Sequence, residues 1–253
     1  MDLEAILEAV AAGDRSVHEA RRDLEGFTRV DDFARLDTER ADRAGIPEVV
    51  LGEGKTPEQL VAIAESFLAE QGHVVLTQVP ADAVPDLEAL ADAADWHERS
   101  NLLVLRIDDH EPPTCDGTVA VLSGGTSDLP VAEEAAVTAR EMGCSVTTAF
   151  DVGVAGIHRT LAEVGDLDEA DSIVVAAGRE GALPTVVAGL VDVPVIGLPV
   201  SVGYGHGGDG EAALAGMLQS CTVLSVVNID AGFVAGAQAA QIARTVATAR
   251  RRD

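Results

Sequence analysis

Short apolar runs alternate with stretches of helical periodicity along the back half of the chain. The runs are nearly continuous Val, Ile and Ala, as expected for strands whose two faces are both covered by helices. The pattern predicts an α/β fold with a doubly wound parallel sheet, whose ligands bind at the carboxyl ends of the strands. The predicted strands are Val119–Leu122, Ser145–Thr148, Ser172–Ala176, Val193–Gly197 and Thr222–Val227. The predicted helices lie near Val131–Met142, Ala182–Leu190, Glu211–Gln219 and Val234–Arg250.

The front part of the chain is more charged. Residues 2–43 show helical spacing in two stretches, which predicts two surface helices. The apolar residues that set this spacing are Leu3, Ile6, Leu7 and Val10 in the first stretch and Phe33 and Leu36 in the second.

Three short apolar runs follow in the front part, separated by two segments with a helical apolar stripe. This alternation predicts a small βαβαβ unit with parallel strands. The runs are Glu48–Leu51, His73–Thr77 and Leu102–Arg106, and the helical segments are Pro57–Ala69 and Asp86–Ala94.

A charged segment broken by two prolines, Asp108–Thr114, is the best linker candidate. We therefore predict two domains. Residues 1–110 form an N-terminal helical and small α/β domain, and residues 115–253 form the larger α/β domain.

The charge of the chain excludes several classes of partner. The sequence has 17 Lys and Arg against 43 Asp and Glu, a net charge of −26, which opposes binding to nucleic acid or to an anionic membrane surface. Lys55 is the only lysine, and aromatic residues make up 3% of the chain. Such a composition is typical of proteins from a salt-loving cytoplasm, where high salt screens the repulsion among carboxylates.

The three cysteines, Cys115, Cys144 and Cys221, are widely spaced, which indicates neither a disulfide framework nor a zinc site. The N-terminal residues lack the basic cluster of a signal peptide. The longest apolar stretch, Thr185–Val200, is interrupted by Asp192 and two prolines, so no membrane span is expected. These features predict a reduced, cytoplasmic protein.

A glycine turn between the first back-domain strand and its helix is the most specific local signal. Glycines let the backbone approach a ligand closely, hydroxyls donate to anions, and a helix N-terminus favours phosphate. Asp128 is predicted to cap the helix that begins near Leu129. The predicted anion-binding residues of this turn are Ser123, Gly124, Gly125, Thr126, Ser127 and Asp128.

Further polar residues follow the other predicted strands and should converge on the same sheet edge. Each also has a structural interpretation. Glu180 would favour a helix N-terminus electrostatically, Arg159 would form a surface ion pair, and His158 would be a hydrogen-bonded structural histidine. A lone cysteine such as Cys221 is most often a small buried hydrophobic residue. Asp230 follows the last predicted strand and completes the set.

Four motifs in this order resemble the LarB family of nickel-pincer cofactor biosynthesis. The resemblance spans roughly residues 115–245, and Gly52-Glu53-Gly54-Lys55-Thr56 resembles that family's N-terminal region. The motifs are Ser123-Gly124-Gly125-Thr126-Ser127-Asp128-Leu129-Pro130, Ile157-His158-Arg159-Thr160, Gly178-Arg179-Glu180-Gly181-Ala182-Leu183-Pro184 and Asn228-Ile229-Asp230-Ala231-Gly232-Phe233.

The back domain is also similar to PurE, the aminoimidazole ribonucleotide carboxylase or mutase, which implies a flavodoxin-like, PurE-like parallel three-layer sandwich. The chain departs from PurE at several points. Ile157 stands where PurE has alanine, Gly178-Arg179-Glu180-Gly181 replaces a loop of small residues, and PurE has no counterpart of residues 1–110.

The LarB resemblance implies carboxylation of nicotinic acid adenine dinucleotide at ring carbon 5 by CO2, supplied as CO2 or bicarbonate. Cleavage of the phosphoanhydride then gives AMP and pyridinium-3,5-biscarboxylic acid mononucleotide, the first step of nickel-pincer nucleotide synthesis. By resemblance, Cys221 is the nucleophile that activates the ring and Glu180 is the base. The glycine turn, His158 and Arg159 would bind phosphate or carboxylate groups, and Asp230 would orient ribose hydroxyls.

No tightly bound cofactor is predicted. Phosphoanhydride hydrolysis often uses Mg²⁺, with Asp128, Asp151 or Asp230 as candidate ligands, but no acidic spacing defines a metal site and the metal requirement stays open. Both related families form octamers with active sites at subunit contacts, so the resemblance implies a homo-oligomer. Two alternatives remain: an aminoimidazole ribonucleotide carboxylase or mutase, and a non-catalytic nucleotide-binding domain.

Overall fold

The computed structural model describes residues 3–17, 20–21, 24, 26–108, 110–167 and 169–252. The described chain divides into two compact units. The front unit contains the residues up to His97 together with Asn101–His110, and the back unit contains Glu98–Ser100 together with the residues from Glu111 onward. No helix in the described ranges combines the length and the apolar character that crossing a bilayer requires.

The front unit contains a four-stranded mixed sheet and a separate hairpin. Its elements are α1 (Leu3–Ala12), β1 (Thr28–Val30), β2 (Ala34–Leu36), α2 (Arg40–Ala44), β3 (Val49–Leu51), α3 (Pro57–Gln71), β4 (His73–Thr77), α4 (Val84–Glu88), β5 (Ala93–His97) and β6 (Leu102–Arg106). The sheet order is β3-β4-β6-β5, in which β3 and β4 are parallel and the other two pairs are antiparallel. Leu60, Ile63 and Phe67 of α3 are fully buried in its core.

The structure corrects two sequence predictions in the front unit. The second surface helix is wrong, because Thr28–Val30 and Ala34–Leu36 form an antiparallel hairpin in which Val30 and Leu36 alone are buried, a period of two. The prediction of an all-parallel front sheet is also wrong. Ala93–His97 forms an additional strand, β5, that pairs antiparallel with β6, and β6 itself runs antiparallel to β4. The residues of β5 alternate between exposed and half-buried from Ala93 to Trp96, but none is fully buried, so the apolar signal of this short strand is weak. Part of the region between the first helix and the hairpin, residues 18, 19, 22, 23 and 25, lies outside the described residues.

The back unit confirms the predicted doubly wound α/β fold. Its five strands are all parallel, in the order β11-β10-β9-β7-β8. Its elements are β7 (Thr118–Ser123), α5 (Leu129–Glu141), β8 (Ser145–Ala149), α6 (Ile157–Val164), β9 (Ser172–Ala177), α7 (Ala182–Ala188), β10 (Val195–Pro199), α8 (Glu211–Leu218), β11 (Ser225–Val226) and α9 (Gly232–Arg250). The central strands β7 and β9 are buried along their length, because helices cover both faces.

The strand order creates one point where the direction of winding reverses. From β7 the chain moves to β8 on one side and then crosses to β9 on the other, so the carboxyl ends of β7 and β9 are neighbours whose loops diverge. In open α/β sheets this crevice is where ligands bind. The fold therefore points to the loops after β7 and β9 as the place for a site.

Candidate active site

A cleft of about 640 Å³ lies at the carboxyl ends of strands β7 to β10 in the back unit. Four loops contribute to it, one after each strand, as expected at a topological switch point. The sequence-predicted residues that line it are Gly124, Gly125, Ser127, Asp128, Arg159 and Glu180. The structure thus brings most of the predicted glycine turn together with the predicted arginine and glutamate.

The side chain of Asp128 connects the loops after β7 and β9. Its Oδ2 accepts a hydrogen bond from the backbone N–H of Gly125 at 2.8 Å, and its Oδ1 accepts one from the N–H of Gly178 at 3.2 Å. Asp128 is buried, and burial raises the pKa of its carboxyl group above its usual range, although the two N–H donors act in the opposite direction. The carboxylate therefore stabilises the pair of loops.

This arrangement corrects the predicted role of Asp128 as a helix cap. Asp128 precedes α5, but its side chain makes no capping hydrogen bond to that helix. Its oxygens are taken by Gly125 and Gly178, and the N–H of Gly124 donates to the backbone oxygen of Ala176 at 2.9 Å. The N–H groups of both glycines are thus satisfied within the protein. These two N–H groups are therefore not available to an anion in the cleft, whereas the Ser127 hydroxyl and the arginine side chains at its walls are candidate donors.

Ser123 supports the cleft from below and does not line it. It is fully buried, and its Oγ accepts a hydrogen bond from the N–H of Asp151 at 3.3 Å. Thr160, also fully buried, donates from Oγ1 to the backbone oxygen of Val152 at 2.6 Å. The Ser123 bond holds the loop after β8 against the end of β7, and the Thr160 bond holds the same loop to α6.

Arg159 and Asp151 form an ion pair at the wall of the cleft. Nη1 of Arg159 lies 2.7 Å from Oδ2 of Asp151, and the two side chains are 40% and 54% exposed. A guanidinium at this exposure retains donors that are available to phosphate or carboxylate oxygens. Sequence reasoning considered Asp151 as a candidate Mg²⁺ ligand and did not identify it as the partner of Arg159.

A second cationic group lies across the cleft, in the loop after β9. The Arg179 guanidinium stacks over the ring of Tyr204, with its carbon 4.4 Å from the ring centroid. Gly181 ends this loop at φ +65°, and its N–H donates to Gly178 at 3.0 Å, which makes a tight turn. Sequence reasoning missed the Arg179–Tyr204 contact, since Tyr204 lies in the glycine-rich run Gly203–Gly208, whose composition is typical of a flexible loop.

Glu180 lies between Arg179 and the start of α7 and lines two cavities. Besides the main cleft, it borders a smaller cavity of about 180 Å³ that also reaches Tyr204 and His206 beneath the loop after β10. Its side chain is exposed in a single chain. One protomer therefore does not enclose this carboxylate in an apolar pocket.

Three other predicted residues do not line the cleft. Thr126 and His158 are exposed next to it. Asp230 stands at φ +55° and accepts a hydrogen bond from the N–H of Ser201 at 2.8 Å, so its carboxylate joins the loops after β10 and β11.

Cys221 lies away from the cleft of its own chain. It is exposed and precedes β11, which runs parallel to β10, so it approaches the sheet from the amino ends of the strands. Its neighbours Ser220 and Thr222 bind Thr185 of α7, at 2.9 and 3.4 Å. The structure does not bring Cys221 together with Glu180 within one protomer, and its role as nucleophile stays a prediction.

Lys55 and the acidic residues were also considered as site residues. Nζ of Lys55 donates to the backbone oxygen of Leu51 at 2.6 Å, within the front unit. Among the described residues, no group of three or more His, Cys, Asp or Glu side chains is arranged to hold a metal ion.

Comparison with known proteins covers nearly the whole chain. The family described as LarB/PurE-like N-terminal domain matches residues 27–108, and the family described as AIR carboxylase matches residues 118–252. An uncharacterized protein, MJ0165 of Methanocaldococcus jannaschii, is 37% identical over 96% of this chain and 97% of its own length.

Two further proteins each match about half of the chain. N5-carboxyaminoimidazole ribonucleotide mutase of Methanocaldococcus jannaschii is 35% identical over 49% of this chain and 77% of its own length. The crystal structure of a Treponema denticola PurE2 variant is 19% identical, covers 54% of this chain and 92% of that one, and has a TM-score of 0.41. The two family matches confirm the resemblance on which the motif analysis rested. The chain belongs to the LarB family, in which a LarB/PurE-like N-terminal domain is joined to an AIR carboxylase domain.

Proposed function

We propose that this protein carboxylates the pyridinium ring of nicotinic acid adenine dinucleotide at carbon 5 and hydrolyses its phosphoanhydride. The products would be pyridinium-3,5-biscarboxylic acid mononucleotide and AMP. Membership of the AIR carboxylase family supports carboxylase- or mutase-type chemistry. The observation that supports this substrate is the pair of arginines, Arg159 and Arg179, on opposite walls of one cleft. Glu180 lines the same cleft and the smaller cavity next to it.

The cleft suits a dinucleotide with a pyrophosphate. Its volume, about 640 Å³, lies in the range of small-molecule sites. The chain carries a net charge of −26, which repels anionic substrates at long range, so local cations are needed to bind a pyrophosphate and a ring carboxylate. Arg159, Arg179 and the hydroxyl of Ser127 supply donors for these oxygens.

The chemistry requires a nucleophile, because a pyridinium carbon is electrophilic and does not attack CO2. Addition of the Cys221 thiolate to the ring gives a dihydropyridine whose carbon 5 is nucleophilic. Carbon 5 bonds to CO2, Glu180 removes the proton from that carbon, and the electron pair restores the aromatic ring as the thiolate leaves. Hydrolysis of the phosphoanhydride then releases AMP.

The position of Cys221 supports a site that is completed by a second copy of the chain. Within one protomer the thiol lies outside the cleft, near the opposite edge of the sheet, and it is exposed to solvent. Glu180 is exposed as well, whereas a base acts best where water is excluded. A homo-oligomer that places Cys221 of one copy against the cleft of another would bring the thiol to the substrate and shield Glu180 from water.

The second candidate is a mutase or carboxylase acting on an aminoimidazole ribonucleotide. The observation in its favour is the 35% identity of the back half to an enzyme of that name. That chemistry needs no thiol, because the aminoimidazole ring is itself nucleophilic. Its phosphate would occupy the same glycine turn.

The two functions are separated by incubating the purified protein, in high salt, with each substrate in turn and analysing products by mass spectrometry. Nicotinic acid adenine dinucleotide with bicarbonate should give a carboxylated mononucleotide and AMP, and Cys221→Ala should give neither. Turnover of N5-carboxyaminoimidazole ribonucleotide alone, unaffected by Cys221→Ala, would assign the chain to the second candidate. Tight dinucleotide binding without any product would indicate a non-catalytic nucleotide-binding domain.

A further inference from the structure

Two thiols outside the cleft lie in contact with each other. Cys115 and Cys144 are 29 residues apart in sequence, yet their Sγ atoms are 3.3 Å apart. Both are free cysteines in the back unit, and neither lines the cleft. The proposed chemistry uses Cys221 alone, so this pair has no assigned role.

The backbone holds these two cysteines side by side. The N–H of Cys115 donates to the backbone oxygen of Gly143 at 2.9 Å. Gly143 stands at φ +89°, and a Cβ on it would lie 2.5 Å from the backbone oxygen of Pro113, so only glycine lets the segment before β7 lie against this turn. A disulfide has an S–S distance of about 2.05 Å, so closing the pair requires a movement of only about 1.3 Å, within reach of side-chain rotation.

The two thiols differ in their surroundings. Cys115 is partly exposed, whereas Cys144 is buried at 6% exposure and its Sγ lies 3.8 Å from the backbone oxygen of Ala240. Burial, followed by the contact with Cys115, raises the pKa of Cys144 to about 12, so it remains a thiol near neutral pH. An oxidant from solvent therefore meets Cys115 first.

We propose that Cys115 and Cys144 form a redox-active dithiol that a peroxide converts into an intrachain disulfide. Cys115 gives up its proton and attacks one oxygen of hydrogen peroxide, which breaks the O–O bond and gives a sulfenic acid; the displaced hydroxide takes up that proton and leaves as water. Cys144 then attacks the sulfenic sulfur, its proton leaves with the displaced hydroxide as a second water, and the S–S bond forms. The dithiol loses two electrons and two protons, and the peroxide is reduced to two waters.

The disulfide would enclose the part of the chain that builds the cleft. The loop between Cys115 and Cys144 contains β7, the glycine turn with Asp128, and α5. Cross-linking a loop of this length removes conformational freedom from the unfolded chain. Oxidation should therefore stabilise the back unit against heat.

The test uses the full chain with Cys221→Ala, so that only the two thiols of interest remain. Before oxidation, N-ethylmaleimide under denaturing conditions should add to both. After about one equivalent of hydrogen peroxide it should add to neither, the intact mass should fall by about two hydrogen masses, and dithiothreitol should restore both thiols. The midpoint of thermal unfolding should rise by about 5–10 °C on oxidation.

The matched control adds Cys115→Ser, a substitution at the partly exposed position. In that protein Cys144 should still react with N-ethylmaleimide after peroxide treatment, and the unfolding midpoint should not rise. The proposal is overturned if the two-thiol protein keeps both thiols, gains oxygen atoms instead of losing hydrogens, or forms disulfides only between chains on a non-reducing gel.

Discussion

The carboxylate of Asp128 accepts a hydrogen bond from the backbone N–H of Gly178, 50 residues away in sequence, across the point where the sheet reverses its winding. Its other oxygen holds Gly125. The buried carboxylate of Asp128 thus accepts hydrogen bonds from both loops, after β7 and after β9, and holds them together at the cleft. This connection holds the loop that carries Arg179 next to the glycine turn.

Asp128→Asn should destabilise the back unit by about 1–3 kcal/mol, because an amide nitrogen cannot accept from one of the two N–H donors. The pH dependence has a definite sign. The pKa of Asp128 is raised by burial, so the native state binds its proton more tightly than the unfolded state, and the contribution of Asp128 to stability falls as pH rises from about 4 through that raised pKa.

The asparagine variant lacks this titration, so the stability difference between the two proteins should widen as pH is lowered from neutral towards 4. Guanidinium unfolding of both proteins at constant high salt measures the difference. A gap that stays constant or narrows over this range would show that Asp128 does not titrate as its burial implies.

Gly178→Ala should damage both stability and binding. A Cβ at this position would lie 2.4 Å from the backbone oxygen of Val202, so the loop after β10 must move away from the cleft. We expect a loss of about 1–3 kcal/mol in unfolding free energy and a fall of about tenfold or more in dinucleotide affinity, measured by calorimetry. Gly203→Ala is the control, since its nearest neighbour, the Arg179 nitrogen, is 3.9 Å away. Equal effects of the two substitutions would contradict the argument.

Arg159→Ala should weaken dinucleotide binding about 10- to 100-fold, because a charge-assisted hydrogen bond to phosphate is lost. Stability should change by less than about 0.5 kcal/mol, because the ion pair with Asp151 is exposed. The dinucleotide affinity of Arg159→Lys should lie between those of the wild type and Arg159→Ala, since lysine keeps the charge but lacks the planar pair of donors.

The matched control for Arg159 is Arg251→Ala, which breaks an exposed ion pair with Asp116 at 2.8 Å and does not line the cleft. It should leave affinity unchanged. A similar loss of affinity in both variants would mean that Arg159 acts only through the overall charge.

The fold of the back unit could be predicted from the sequence because its strands are buried on both faces. Unbroken apolar runs such as Ser172–Ala177 show directly where such strands lie, and the loops that follow parallel strands meet at the carboxyl-end edge of the sheet. The front unit was harder. Strand β5 is a partly exposed edge strand with charged residues, and the hairpin at 28–36 has only two buried side chains to set its period.

Within the site, it was easier to predict which residues take part than which groups their side chains contact. The motifs identified Asp128 and Arg159, but whether the Asp128 oxygens point to the helix or to Gly178 depends on contacts made 50 residues away. The contact of Cys115 with Cys144 is long-range in the same sense, since a spacing of 29 residues matches no local motif.

Mixing two inactive variants tests whether the site is shared between copies. Cys221→Ala and Glu180→Gln proteins, each inactive alone, should regain about a quarter of wild-type carboxylation per chain when co-expressed in equal amounts. In such a mixture about one site in four receives an intact thiol from one copy and an intact glutamate from another. No recovery in confirmed mixed oligomers would place both residues in the same protomer's site.

The most direct test of the central claim is incorporation of ¹³C from labelled bicarbonate into the mononucleotide released from nicotinic acid adenine dinucleotide. The wild-type protein should release AMP together with a mononucleotide that carries one labelled carboxyl at carbon 5, and Cys221→Ser and Glu180→Gln should incorporate no label. Release of AMP with an unlabelled mononucleotide, or equal labelling by the wild type and Cys221→Ser, would contradict thiol-dependent carboxylation of the pyridinium ring.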